Sequence, residues 1–416
     1  MGDPMRQRAR RWLEAAGRSA CRIGWPRTDK DRAAVMISSL FLHVHPARVS
    51  RHSLRASYTL GLGLISAILF AVLTLTGLAL MLYYFPHPAE AYRSMKDLQF
   101  VVTFGVVLRN LHRWSAHAMV IVVFLHLCRV FWTGSYKAPR EFNWVVGVAL
   151  LLLTLALSFT GYLLPWDQLA FWAITVGTNI AAYAPMIGER LKFLLLGGHV
   201  IGPTTLLRFY VLHCVFLPLA AAALISLHVW RVRKDGLSGA PEEALMVEEV
   251  AGTFPASTKT YGLMALTRRP TASVEARDPS DEVFAWPHLL YLEVLVALGV
   301  VILLHMASLL FMAPLEEMAD PTRTPNPAKA PWYFLGLQEL VHYSAFLGGV
   351  LVPALVVVAL VALPYVDRHP RGVGRWFAPE RRLANVVFTA LVVVASALTV
   401  IGTFFRGPNW AWTWPW

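Results

Sequence analysis

Residues 111–132 read LHRWSAHAMVIVVFLHLCRVFW, an apolar run of about the ~20 residues a helix needs to cross a bilayer. His112 and His126 lie inside it, 14 residues apart. A second run, Tyr210–Val232, carries His213 and His228, 15 residues apart. At about 100° per residue, 14 steps nearly return to the starting face and 15 leave an offset of about 60°. Each helix therefore points two imidazoles the same way, about 21 Å apart along its axis.

Polar groups inside a bilayer are costly and are as a rule functional. A hydrogen-bonded core histidine would account for any one of these four. Two helices that each offer one imidazole per leaflet fit a sharper purpose, the axial ligation of two haems. The two runs are the second and fourth of the chain and so cross in the same direction. His112 is thus expected to pair with His213 near the outer surface, and His126 with His228 near the inner.

Glycines follow the same repeat. Gly63 and Gly77 lie 14 apart in the first run, and Gly147 and Gly161 lie 14 apart in the third. A flat macrocycle wedged between helices needs places where a side chain is missing, although small residues also serve ordinary helix packing. Arg109, Arg113 and Arg208 sit at the outer ends of the histidine-bearing runs, where haem propionates would need cations and where arginines also snorkel to headgroups.

Working outward, the chain of 416 residues is 56% hydrophobic and 15% charged, against about 25% charged for a typical soluble domain. Seven apolar runs are read as spans: Tyr58–Tyr84, Leu111–Trp132, Asn143–Leu164, Tyr210–Val232, Leu289–Met312, Gly349–Tyr365 and Asn385–Phe405. Pro353 is placed in the first turn of the sixth. The expected fold is an all-α integral membrane protein with seven transmembrane helices, a four-helix di-haem bundle plus a three-helix C-terminal block. Four segments result: residues 1–57, a basic tail with an interfacial helix over Ala33–Val44; 58–234, the four-span di-haem domain; 235–286, a polar cytoplasmic linker; and 287–416, the three-span domain.

The net charge of +12 lies in the tail and in alternate connections, a topology signal rather than a nucleic-acid stripe. It puts the N-terminus in the cytoplasm and, after seven spans, the C-terminus outside. The N-terminal segment lacks the apolar core and cleavage site of a secretory signal and is expected to stay attached. Cys21, Cys128 and Cys214 stand far apart and form no CxxCH or CxxC pattern, which excludes covalent haem c, iron–sulfur and zinc-ribbon sites. The connection 313–330 is proline-rich and favours extended turns. The closing GPNWAWTWPW (407–416) suits an interfacial belt.

The stretches LHRWSAHAMV (111–120), TGYLLPWDQLAFWAITVGTNI (160–180) and LLRFYVLH (206–213) resemble the cytochrome b of quinol-oxidising cytochrome bc and bf complexes. The later block, from FAWPHLLY (284–291) to PWYFLGLQEL (331–340), resembles the three-span subunit IV of the bf type. The resemblance covers nearly all of the chain after Tyr58 and is most specific in the four-span block. It implies a redox subunit of a quinol–cytochrome c reductase in a bacterial cytoplasmic membrane, with two non-covalent b haems. Quinol would be oxidised near the outer face and quinone reduced near the inner, with protons released outside. The implied partners are a Rieske-type iron–sulfur subunit, a c-type cytochrome, quinone and a second copy of the complex; nucleic acid is not among them.

By position, Trp332 and Tyr333 should border the outer quinol pocket, with GYLLPWDQ (161–168), including Pro165 and Trp166, as its other wall. Two departures from the family pattern matter. The outer-site motif Pro-Glu-Trp-Tyr reads Ala330-Pro331-Trp332-Tyr333 here, and a proline cannot take a proton. Glu339, two turns on, is the expected replacement, assisted by His342 or Tyr343; a structural carboxylate is the competing reading. The cysteine that attaches an extra haem in the bf type is Gly61, so no covalent haem is expected. The lost glutamate and the fused blocks favour menaquinone. Two other classes stay open, a di-haem membrane anchor of a dehydrogenase and a haem-free transporter relaying protons through histidines. The first would not need the PWYF block or the PWDQ loop, and the second would not need the haem-like repeat.

Overall fold

The computed structural model of the chain describes residues 26–39, 42–238, 282–369 and 371–415, with scattered positions between 5 and 15. About a third of the expected basic tail and all of 239–281 in the expected linker lie outside the described residues. Among the described residues, seven helices are long and apolar enough to cross a membrane, with mean hydropathy between 1.7 and 2.5. They are α2 (Leu62–Met81), α4 (Gly105–Trp132), α5 (Glu141–Leu163), α8 (Pro203–Asp235), α9 (Ala285–Leu310), α11 (Leu347–Val366) and α12 (Pro379–Phe404). Each presents large apolar side chains outward, such as Leu75, Leu303 and Val393, as helices solvated by lipid must. The fold is all-α and membrane-integral, as the sequence implied.

The ends differ from the apolar runs for local reasons. The first span starts at Leu62 rather than Tyr58 because Leu60 and Gly61 take left-handed φ values of 52° and 61° and break the helix. The fourth starts at Pro203, a first-turn proline, and passes through a π turn at Leu212–Phe216 that carries His213. Such single-turn widenings often occur at functional positions. Pro353 stands in the first turn after a second π turn, Leu347–Leu351. The expected helix over Ala33–Val44 is corrected to α1, Asp29–Ser38. A capping box between Thr28 and Asp31 starts it early, and Ser39 turns extended and stops it.

Four further helices lie in connections at one end of the bundle, the end carrying His112: α3 (Pro88–Phe100), α6 (Gln168–Ala182), α7 (Gly188–Leu196) and α10 (Trp332–Tyr343). Residues 313–330 run there without helix. At the opposite end a two-stranded antiparallel ribbon joins β1 (Arg48–Ser50) to β2 (Glu282–Phe284). Helix α4 is central, packing on α2, α5 and α9. Helix α8 packs on α5, α11 on α5, and α10 on α12.

Candidate functional site

The four histidines meet in pairs across the middle of the first four spans. The ring centres of His112 and His213 stand 6.3 Å apart, and those of His126 and His228 stand 6.5 Å apart. Each imidazole also abuts one of the four glycines. A Cβ added at Gly161 would lie 2.5 Å from His213 Cε1, at Gly77 3.3 Å from His112 Cε1, at Gly63 3.3 Å from His126 Cε1 and at Gly147 3.7 Å from His228 Cε1. The 14-residue glycine repeat thus places one vacancy behind each ring.

Threonines orient the first pair. Thr76 gives its hydroxyl hydrogen to Val72 O at 2.7 Å, so its oxygen is free to accept from His112 Nδ1 at 2.9 Å. Thr160 donates to Ala156 O at 2.9 Å and accepts from His213 Nδ1 at 3.1 Å. Both rings then carry hydrogen on Nδ1 and a lone pair on Nε2, the tautomer a metal ligand needs. The second pair lacks such hydroxyls, and His126 Nδ1 is buried with no hydrogen-bond partner among the described residues.

One continuous cavity of about 2020 Å³ touches all four histidines and all four glycines. That is more than the roughly 300–1,000 Å³ of a pocket for one small ligand. Arg109, Arg113, Pro165 and Tyr333 line its His112 end. Arg113 stands over the Tyr162 ring at 5.2 Å, with its Nε unsatisfied. Arg109 donates to Ala313 O at 2.8 Å and Pro314 O at 2.6 Å, fastening the loop after α9. A smaller cavity of about 300 Å³ lies beside it between α5, α6 and α10, walled by Phe159, Trp172, Pro331 and Phe334.

Four expected site residues, Arg208, Trp166, Glu339 and Trp332, line neither cavity. Arg208 does not line the large cavity; it donates to Leu194 O in the last turn of α7. Trp166 is buried in an apolar cluster with Leu163 and Ile174. Glu339 is buried and held by Arg406, whose Nε donates to Oε2 at 3.0 Å, and by Trp410 Nε1 at 2.9 Å, with Tyr343 donating at 3.3 Å. Burial works against its charge, but the hydrogen bonds from Arg406, Trp410 and Tyr343 outweigh it and hold the carboxyl below the usual range. Glu339 lines neither cavity, so the geometry makes it the anchor of the C-terminal segment. Trp332 donates from Nε1 to His117 Nδ1 at 2.9 Å.

Two family models match the chain, Cytochrome b/b6/petB over residues 48–236 and Cytochrome b(C-terminal)/b6/petD over residues 318–413. Cytochrome b6 of Heliobacterium mobile is 44% identical over 194 residues, which make up 47% of this chain and 89% of that protein. The chain belongs to the cytochrome b/b6 family. Cytochrome b6 of Prochlorococcus marinus (strain MIT 9211) is 43% identical over 178 residues, 43% of this chain and 82% of its own. A solved structure entitled "Hyperthermophilic respiratory Complex III" shares the fold, with a TM-score of 0.72 at 24% identity over 94% of this chain and 90% of that one. A cytochrome b/b6 chain is a haem-binding, multi-pass membrane protein of electron transport, a subunit type of bc- and bf-like complexes.

The residues of this cytochrome b/b6 chain fit that cofactor. A metal held at about 2 Å by a nitrogen of each ring, with each nitrogen about 1 Å from its ring centre, separates the centres by about 6 Å. Both observed pairs have that separation.

The contacts of several parts of the site carried no sequence signal. The PWDQ stretch is a clasp: Asp167 accepts from Ala170 N at 2.9 Å and Glu316 N at 3.2 Å, and Gln168 Oε1 accepts from Asp320 N at 2.7 Å. At the His126 end, Arg129 and Arg140 line the cavity. Arg129 Nε donates to Tyr58 O at 3.1 Å and Arg140 Nε to Gly236 O at 3.0 Å. His45 and Glu293, bonded at 3.0 Å, close that end. The hydrogen bond to Glu293 raises His45 above the ordinary imidazole value, against the effect of burial.

Proposed function

We propose that this chain is the cytochrome b subunit of a quinol–cytochrome c reductase in a bacterial cytoplasmic membrane. His112 and His213 would hold the outer b haem, and His126 and His228 the inner one. Bound there, the two haems supply a one-electron relay between the faces of the membrane. The observation that carries the reading is the pair of facing imidazole couples in one cavity, each backed by glycine.

The chain's own groups do the rest. Thr76 and Thr160 fix the outer ligand tautomers, and Arg109 and Arg113 offer cations near the outer propionates. Arg129 and Arg140 are the corresponding cations of the inner end. Quinol, with menaquinol favoured, would enter the His112 end of the large cavity beside Pro165 and Tyr333, extending toward the adjoining apolar pocket between Phe159, Trp172, Pro331 and Phe334. Its ring would find apolar walls there, with Lys329 and Gln338 as polar groups at the edge. The inner end of the large cavity would take quinone, where His45 and Glu293 could deliver protons.

The N-terminus is assigned to the cytoplasm and the C-terminus to the outside. A Rieske-type iron–sulfur subunit, a c-type cytochrome and a second copy of the complex are the proposed partners. The domain division is 1–57, 58–234, 235–286 and 287–416. No covalent haem is proposed: Gly61 has no thiol, and its φ of 61° suits glycine.

The test is a redox-titrated visible spectrum of the purified membrane protein with haem quantified per chain. Two low-spin b haems with separate midpoints, reducible by quinol, are expected. One haem or none would defeat the pairing and return the chain to a degenerate or transporter role.

A further inference from the structure

Oxidation of quinol releases two electrons and two protons, and a proton leaving within a membrane needs a base. The groups around the two cavities at the His112 end leave few choices. Glu339 is turned away and locked to Arg406. Asp167 is committed to capping α6 and to Glu316 N, and Glu316 itself is exposed. Lys329 donates to Thr403 O at 2.8 Å. Tyr162 and Tyr333 are phenols, and Arg109 and Arg113 are cations with no lone pair to offer.

His117 remains. It sits five residues after His112 on α4, so it lies about 7 Å further along the axis and about 140° around it. It therefore faces α10 rather than the imidazole pair, in the wall of the same cavity as Tyr333. Its ring centre stands 5.8 Å from that of Tyr333, 6.3 Å from Trp332 and 5.3 Å from Trp114. An indole N–H can only donate. The 2.9 Å bond from Trp332 Nε1 thus shows that His117 Nδ1 carries a lone pair and that the ring's hydrogen is on Nε2.

We propose that His117 is the proton acceptor for quinol at the outer site, with Trp332 holding its Nδ1 ready between turnovers. This rests on the functional reading above. When quinol enters, the indole N–H gives way and a quinol hydroxyl takes its place at Nδ1. The O–H bond breaks, its proton passes to Nδ1 and the ring becomes imidazolium. The two electrons go to the one-electron acceptors of the proposed reaction, and the second proton goes to water at the outer face. Protonated Nδ1 cannot accept from Trp332, so the indole returns once the ring has passed its proton on.

Of the helices packed on α4, α3 carries Glu90, Tyr92, Arg93, Lys96 and Asp97, and α5 carries Glu141 and Tyr162. Arg113 lies one turn before His117 on α4. The neighbouring α2 carries no titratable residue over Leu62–Met81. On α9, Glu293 is paired with His45 at the far end, and His305 is bonded to Val301 O at 2.8 Å. Helix α10 brings only Trp332 and Tyr333 to the ring.

The experiment uses the intact complex in its membranes, with a soluble menaquinol analogue as donor. Cytochrome c reduction is followed from pH 5.5 to 9, and haem is quantified in every preparation. His117→Asn is expected to keep both haems, lose about 100-fold in turnover and lose the acid limb of the rate profile. His117→Asp, which restores a base, should recover at least a tenth of the rate with the limb moved to lower pH. A haem-loaded His117→Asn complex with turnover within twofold of wild type and an unchanged profile overturns the proposal. If that variant loses haem, His117→Asp decides: a shifted limb supports the assignment, and a wild-type rate and profile overturns it. A wild-type complex that holds both haems yet does not oxidise quinol would remove the functional reading itself, a result distinct from any failure of His117.

Discussion

The two histidine pairs have the same spacing and different support. At the His112 end both rings are hydrogen-bonded by threonines and closely backed, with a Cβ at Gly161 coming within 2.5 Å of His213. At the His126 end no threonine takes that place, and Gly147 leaves 3.7 Å to His228. One pair is aimed by hydrogen bonds, the other by packing alone. The difference teaches that a shared ligand motif does not imply a shared environment, and that the two cofactor sites should respond differently to equivalent changes.

Removing a ligand should have the largest effect and should be symmetric. His213→Leu and His228→Leu are each expected to cost one of two haems, with the surviving spectral component different in the two variants; a variant that lost both would show the sites to be interdependent. Filling the glycine vacancies should break the symmetry. Gly161→Ala forces His213 to shift and is expected to cost about 1–3 kcal/mol of overpacking and most of the outer haem. Gly147→Ala meets ordinary contact and should keep both, as haem counts per chain would show.

Glu339 tests whether the His112 end owes its order to the haem cavity or to the C-terminal clamp. Glu339→Gln leaves Arg406 without its buried partner and is expected to lower stability by up to about 3 kcal/mol while quinol oxidation is unchanged. The sign with pH follows from the lowered carboxyl value. Its contribution is complete above the unfolded value near 4.3 and fades as pH falls through the lower folded value. Thermal melts should therefore show wild type losing its advantage over Glu339→Gln only in acid. Thr160→Val is the smallest change. Losing a hydrogen bond worth about 1 kcal/mol makes His213 a weaker donor and should raise the outer midpoint by about 40 mV, leaving the inner one in place.

Much of this was legible in the chain. The four histidines and four glycines declare themselves by a repeat near 14 residues, because a helix returns to the same face over that distance, and the structure brings each glycine against one imidazole. The seven spans were legible for the same reason, since lipid imposes length and apolarity locally. The sequence could not choose between a catalytic and a structural Glu339 because its partners Arg406 and Trp410 lie 67 and 71 residues further on, and nothing local announces an ion pair. Arg208 posed the same difficulty, since a cation at a helix end looks the same whether it faces a cavity or the last carbonyls of another helix. His117 was overlooked although a third intramembrane histidine on α4 was a signal in plain view. What gives it meaning is Trp332, 215 residues away.

The ribbon between β1 and β2 has a bearing on how such a chain can be assembled. Ser238 is hydrogen-bonded to Tyr58 and, at 2.8 Å, to Ser135. Residues 282–284 pair with 48–50 just before the first span. The described chain on either side of residues 239–281 is therefore anchored on the same segment near residues 48–58. A backbone cut between residues 239 and 281 would sever the polypeptide without cutting either anchor. The four-span and three-span pieces could then be made as separate polypeptides and still find each other through the ribbon and the contacts of α4 with α9. Covalent continuity here sets stoichiometry, one of each piece per molecule, while recognition between the pieces is already written into their surfaces.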